Sequence, residues 1–406
     1  MRKIERSKQT EMTAIVVTGL GIISSIGNSA DENRESLMCS RGGISKNNNF
    51  FSRYSTLLPF GEIKKSNDEL IEELNANEKG VTRTSLLALH SIQEAIEDSK
   101  LTLNQISSSD TALIGASTVG GMCLTDQLFI DATTASNGSE YLSSYDCASV
   151  MLYLQNRYKM KGIVNTINTA CSSSSNAIMY GARLIKSGLV KRAIVGGSDS
   201  LSKFSINGFN ALHILSSDLC RPFDANRSGL NLGEGAAFLI LEKEEDCKGK
   251  KVYAKLSGHA NTNDSFHPSS LSDDGQGPFL VMTQALESAS IDASSISFIN
   301  AHGTATENND EVESVAMRRI FEIVPAFAST KSYTGHTLGA AGAIEAIFSI
   351  FNIVNQEIYS SLNYTSPIEK TGLVPNLKYC KSSVQHVMSN SFGFGGNCSS
   401  LIFSKN

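Results

Sequence analysis

Short apolar runs alternate along the chain with longer segments whose apolar positions recur every three or four residues. The runs AIVVTGL (14–20), TALIGAS (111–117), IVNTIN (163–168), RAIVGGS (192–198), ISFINA (296–301), PAFAST (325–330) and SSLIFS (399–404) are rich in β-formers, and several close on Gly, Ser or Thr. They predict buried strands. The segments 81–99 and 309–321 carry the helical period and predict amphipathic helices. Alternation of the two predicts an α/β fold with mostly parallel strands and helices outside. The stretch NTNDSFHPSSLSDDGQGP (261–278) has neither period and predicts a surface or gating loop.

A faint internal repeat sharpens this picture. Strand 163–168 runs into Thr169-Ala170-Cys171, then a small-residue helix to Lys186, Gly188 and strand 192–198. Strand 325–330 runs into Thr334-Gly335-His336, then the helical TLGAAGAIEAIFSIF and the run IYSSLNY. Each unit sets a reactive side chain where a strand hands over to a helix rich in Ala and Gly. Two copies of one unit would bring both helix starts to one central seam.

Composition narrows the classes. The chain has 406 residues, 41% hydrophobic and 18% charged, enough for a large core. A net charge of −5 gives no basic field for nucleic acid or an anionic membrane. The eight cysteines are scattered and none forms C-x-x-C, which excludes a disulfide scaffold and a zinc ribbon. Reduced thiols and a cytoplasmic protein are the expectation. Residues 1–12 read as an appended polar tail, with Met12 an alternative start, and no apolar run reaches membrane-spanning length.

Cys171 falls where a helix should begin, followed by Ser172 to Ser175, which suit a first turn with unpaired N–H groups. Arg183, Lys186 and Gly188 mark its end. A thiol at a helix N-terminus faces the positive end of the dipole, which favours thiolate. A buried structural cysteine beside a serine-rich cap fits the same residues. His302, at a strand end before Gly303, sits where a ligand can approach, although a turn histidine fits too. Lys331, His336 and Glu345 share one stretch, where Lys331 and Glu345 could pair or merely lie on the surface. SNSFGFGGNCSS (389–400) can aim backbone N–H groups at an oxyanion, or be a plain glycine-rich hairpin.

Taken together, VVTGLG (16–21), TACSSS (169–174), CRPFDANRSGLNLGEGAA (220–237), NAHGTAT (300–306), STKSYTGHTLGAAGAIEA (329–346) and SFGFGG (391–396) resemble, in order, the β-ketoacyl-acyl carrier protein synthases of the thiolase superfamily. The resemblance implies a thiolase-like duplicated α/β fold, five-layered α-β-α-β-α. It implies an N-terminal half at 13–260 carrying the cysteine and a C-terminal half at 261–406 carrying both histidines. The implied reaction is decarboxylative condensation of an acyl thioester, held on Cys171, with malonyl-acyl carrier protein, in fatty acid or specialised polyene or polyketide-type synthesis.

In such a site the N–H groups of Cys171 and Phe394 would hold the oxyanion. His302 and His336 would serve decarboxylation and the enolate, and Lys331 with Glu345 would order the site. By resemblance Thr304 and Thr306 touch the phosphopantetheine arm, Asp264 and His267 belong to a loop near the site, Phe394 gates Cys171, and Val119 lines the acyl pocket. No metal or diffusible cofactor is expected, since the phosphopantetheine arrives on the acyl carrier protein. A homodimer is expected.

Three departures bear on acyl preference and gating. Asn397-Cys398 stands where relatives have Thr-Asn. Glu307 to Asp310 replaces Pro-Leu-Asn-Asp. Ser228, Leu230 and Asn231 replace Asp, Phe and Val. A non-catalytic partner subunit of another ketosynthase is the alternative, and the presence of Cys171 argues against it. A Cys–His–Cys thiolase, a calcium loop at Asp224–Gly235 and a zinc hydrolase fit less well.

Overall fold

The computed structural model describes residues 14–46, 50 and 52–406; the 1–12 tail and Met12 lie outside the described residues. In chain order the strands are β1 (Ile15–Ser24), β2 (Thr111–Ala116), β3 (Val164–Ile167), β4 (Arg192–Asp199), β5 (Gly235–Lys243), β6 (Ala254–Asn263), β7 (Phe298–Asn300), β8 (Ala326–Ala328), β9 (Glu357–Ile358), β10 (Cys380–Lys381), β11 (His386–Phe392) and β12 (Asn397–Ser404). Ten of them follow the order β3-β2-β4-β5-β1-β6-β12-β11-β7-β8. Read outward from the β1–β6 junction, the two sides are copies. Strands β2 and β4 pair in parallel, as do β7 and β11, while β5 and β12 run antiparallel to their neighbours in each copy. The second copy begins with β6, so the halves meet in 244–253, ahead of residue 260.

Helices complete five layers. Arg83–Ser99 and Ser149–Tyr158 cover one outer face. Gln276–Ala289 and Glu307–Ile320 cover the other. Ser173–Lys186 and Ala341–Asn355 fill the centre. In β5, Ala237, Leu239 and Leu241 join the central core, and Ala236, Phe238 and Ile240 join the outer one. That is the period-2 signature of a strand buried on both faces. The central helices approach closely. A Cβ on Gly342 would lie 2.1 Å from Ser175 Oγ, and Ala343 N–H donates to Ser174 Oγ (2.9 Å).

Three readings need correction. The strand equivalent to β4 in the second copy is β11, since IYSSLNY contributes only the short β9 before the chain detours through 359–385. Among the described residues, Leu338–Asn355 does reach spanning length and apolarity, with a mean hydropathy of 1.5, but 89% of it is buried because it is the central core helix. Ser172, the N-cap, makes no capping bond; its hydroxyl lies 2.8 Å from Thr169 O and 2.7 Å from Asn397 Oδ1, which share its single proton.

Candidate active site

Both reactive junctions open onto one seam. Cys171 follows Ala170, whose φ of +52° turns the chain sharply off β3 before the helix starts at Ser173. His336 sits in the equivalent turn, its backbone clamped by segment 231–233: His336 N–H donates to Asn231 O (2.8 Å) and Gly233 N–H donates to His336 O (2.9 Å). His302 lies beyond the end of β7, where its amide and that of Gly303 donate to the two carboxylate oxygens of Glu313 (2.9 Å each). Cys171 Sγ and one ring nitrogen of each histidine lie within 4.8 Å of one another. The two rings meet edge to face at 5.6 Å. Cys171 is 6% exposed and the histidines 1%.

The groups behind the imidazoles define their protonation. Leu338 N–H donates to His336 Nδ1 (3.1 Å), so the ring proton belongs on Nε2, which is buried with no partner. Lys331 Nζ donates to His302 O (2.7 Å), faces His302 Nδ1 at 3.2 Å and pairs with Glu345. His302 therefore also carries its proton on Nε2. Burial, with the Lys331 charge, holds both imidazoles well below the ordinary histidine range, so both are neutral N–H donors. Burial lifts the Glu345 carboxyl to about 7 against the pull of Lys331.

The thiol runs against expectation. Burial pushes Cys171 up to about 11, and the pull of Lys331 and the Phe394 N–H only partly offsets it. Cys171 stands one residue ahead of the N-cap, Ser172. The resting group is a thiol, and its proton must leave when an acceptor is bound.

The glycine-rich turn comes close to the nucleophile. A Cβ on Gly393 would lie 2.6 Å from Thr169 O and 3.2 Å from Cys171 N, so only glycine allows this approach. It brings the Phe394 N–H to the thiol, while the Phe394 ring stacks on Phe209 at 5.8 Å. A cavity of about 430 Å³ leads to Cys171 between these rings and the Thr304–Thr306 turn, whose hydroxyls share a 2.9 Å hydrogen bond.

Not every predicted residue reaches that cavity. Asp264 accepts from Ser272 N and Oγ (2.7 Å each) and closes the 264–275 loop, His267 is exposed, and the loop presents Ser269 to Leu271 instead. Val119 is buried behind the wall with Leu201, Ile206, Leu230 and Leu338. Its amide donates to Asp199, which also accepts from Gly339 N–H (2.7 Å). Of the departures, Ser228 and Leu230 line the cavity, Asn231 clamps His336, and Asn397 Oδ1 gathers Ser172, Asn176 and Asn261. Sequence reading missed Phe209, His213, Asp199 and Glu313. Only Glu313 left a trace, because it and Asp310 lie three apart on the buried face of a helix where carboxylates are rare.

The N-terminal β-ketoacyl synthase domain model matches residues 12–247 and the C-terminal domain model residues 253–365. The 3-oxoacyl-[acyl-carrier-protein] synthase 1 of Haemophilus influenzae is 34% identical over 413 residues, covering 97% of this chain and 99% of that protein. Synthase 2 of Vibrio cholerae is 31% identical over 413 residues, covering 96% and 99%. The solved ishigamide ketosynthase/chain length factor superposes with a TM-score of 0.89 at 26% identity, covering 97% of this chain and 100% of that one. The fold is that of the thiolase-like condensing acyltransferases. This chain belongs to the β-ketoacyl synthase family.

Proposed function

We propose that the chain extends an acyl thioester by condensation with malonyl-acyl carrier protein, releasing carbon dioxide and a 3-ketoacyl-carrier. The observation that carries this reading is the meeting, within 4.8 Å, of one thiol and two neutral imidazoles. Cys171 attacks an acyl-carrier thioester; its carbon–sulfur bond replaces the carrier's, and the proton given up by Cys171 leaves on the carrier thiol. Its own N–H and that of Phe394 hold the oxyanion. The Nε2–H groups of His302 and His336 then converge on the malonyl thioester oxygen. Loss of carbon dioxide leaves an enolate there; its carbon attacks the Cys171 thioester, the carbon–sulfur bond breaks, and the freed Cys171 thiolate takes up a proton. Lys331, tied to Glu345, fixes the His302 ring. The Thr304–Thr306 turn meets the phosphopantetheine arm, Phe394 moves to admit the acyl chain, and Val119 backs the wall the chain reaches.

The partner is an acyl carrier protein, and no cofactor of the enzyme's own takes part. Two copies pair through the edge strand β3, and Phe129, Ile130 and Leu142 are exposed in the 125–144 segment between β2 and β3. Reconstitution with malonyl-carrier and a panel of acyl-carriers, read by mass spectrometry, tests the reading. A 3-ketoacyl product two carbons longer is expected. Absence of both product and acyl-Cys171 would instead favour the non-catalytic partner subunit.

A further inference from the structure

Cysteine and two histidines are also the donor set of a catalytic zinc site, with three protein ligands and a fourth position open to the cavity. The three donor atoms need close by only about 1 Å from their present spacing to reach the roughly 3.5 Å separation of tetrahedral ligands. We propose that Cys171, His302 and His336 form a latent site for a thiophilic divalent cation, kept closed by Lys331 and the Leu338 amide.

Closure follows from the side of each ring that carries its proton. A metal on Nε2 takes that nitrogen's lone pair, so the proton must move to Nδ1, where metal-bound histidines donate to a carbonyl or carboxylate. Here both Nδ1 positions face donors. Leu338 N–H points at one and the Lys331 ammonium at the other. Binding would set N–H against N–H at His336 and against a cation at His302, both rings being 1% exposed. The Lys331 ammonium would also repel the ion. The same donors that make both rings N–H donors for a thioester oxygen make them poor metal ligands.

Lys331→Gln opens the site at one ring. The amide oxygen accepts from His302 Nδ1–H, Nε2 becomes a ligand, and the positive charge is gone. Binding exchanges the Cys171 S–H for a metal–sulfur bond and releases one proton to solvent; the His302 proton changes nitrogen, and His336 joins only where the Leu338 amide swings off its Nδ1 so that its proton can change nitrogen too.

The test is titration with Zn²⁺ and Co²⁺ alone. Lys331→Gln should bind one equivalent of Zn²⁺ roughly 10- to 100-fold more tightly than wild type, the range that second-shell changes produce. Its Co²⁺ form should show a thiolate charge-transfer band that Cys171→Ser removes. Equal affinity of the two proteins, or binding by neither, would overturn the proposal. ¹⁵N NMR of histidine-labelled wild type provides a check that does not depend on the variant folding: Nε2–H is expected for both rings, and Nδ1–H at either overturns the closure. The proposal shares its tautomers with the proposed function but not its substrates. A failed condensation assay with selective metal binding would sink only the function, and the reverse result only the latent site.

Discussion

The two halves use one topology to opposite electrostatic ends. In the first, the β3 junction delivers Cys171, and burial pushes its thiol up to about 11. In the second, the equivalent β8 junction delivers His336, and burial with a nearby ammonium pushes it down. Desolvation opposes charge in both, so the thiol keeps its proton and the imidazole refuses one. The difference lies in what each unit inserts. The first passes from Cys171 to its helix within two residues. The second takes twelve residues, 329–340, from β8 to its helix against five, 168–172, in the first, and these supply Lys331 beneath one ring and the Leu338 amide beneath the other. A duplicated fold thus becomes an asymmetric site through the longer junction in one copy.

The sharpest way to break the comparison is to remove each half's group in turn. Cys171→Ala should abolish acylation and condensation, a loss of at least about 10³-fold. His302→Ala and His336→Ala should each cut malonyl-carrier decarboxylation about 10²- to 10³-fold, the range for losing one oxyanion donor, while Cys171 still acylates. Mass spectrometry of the protein and carbon dioxide release separate the two steps. Decarboxylation unchanged in both histidine variants would show that the second half does not have its assigned role.

Lys331→Met tests the inserted segment. It leaves Glu345 buried without its cation, and breaking such a pair costs about 3–5 kcal/mol. Adding Glu345→Leu should restore part of that loss, because the penalty comes from the unpaired charge. Urea midpoints measure both. A single variant as stable as wild type would mean that Glu345 takes up a proton freely and that the pair does not brace the second half.

How legible was this asymmetry beforehand? The motif-bearing turns were, because each pairs a reactive residue with glycine or small residues that only a close approach requires. The strands between them were less so. β6 alternates Lys255, Ser257, His259 and Asn261 with buried positions, so it reads as polar. β11 carries Ser389, Asn390 and Ser391 fully buried, their polarity absorbed in part by the Ser391–Ser175 and Asn390–Ser400 hydrogen bonds. Those partners are distant in sequence, so no local pattern reveals them. The same holds for Asp199, which ties the Val119 loop to the turn after His336. The thiol's acidity was misread because helix position is local and burial is not.

That misreading gives a pH test. A raised thiol pKa means that thiolate, and with it iodoacetamide labelling of Cys171, should climb about tenfold per pH unit from 7 to 10. The exposed Cys39 and Cys380 should label faster at pH 7. A plateau for Cys171 by pH 8 would restore the activated thiolate. The histidines carry the opposite sign. Their lowered pKa adds stability above pH 6.5 that fades as pH falls through the folded value, and decarboxylation should persist at pH 6.

The smallest effect concerns backbone. Each half holds one non-glycine residue in left-handed conformation beside its reactive group: Ala170 at φ +52° before Cys171, and Leu338 at φ +53° after His336. That conformation costs an ordinary residue about 1–2 kcal/mol, and glycine escapes it at an entropic cost of about 0.5–1 kcal/mol. Ala170 is half-buried, so Ala170→Gly should be neutral or stabilise by up to about 1 kcal/mol. Leu338 is 6% exposed within an apolar cluster, so Leu338→Gly gains the same relief but loses a buried side chain worth about 2–4 kcal/mol. The signs should therefore differ between the halves in denaturant melts. Destabilisation by Ala170→Gly beyond about 1 kcal/mol would mean that the turn at the thiol is held by its alanine and not strained by it.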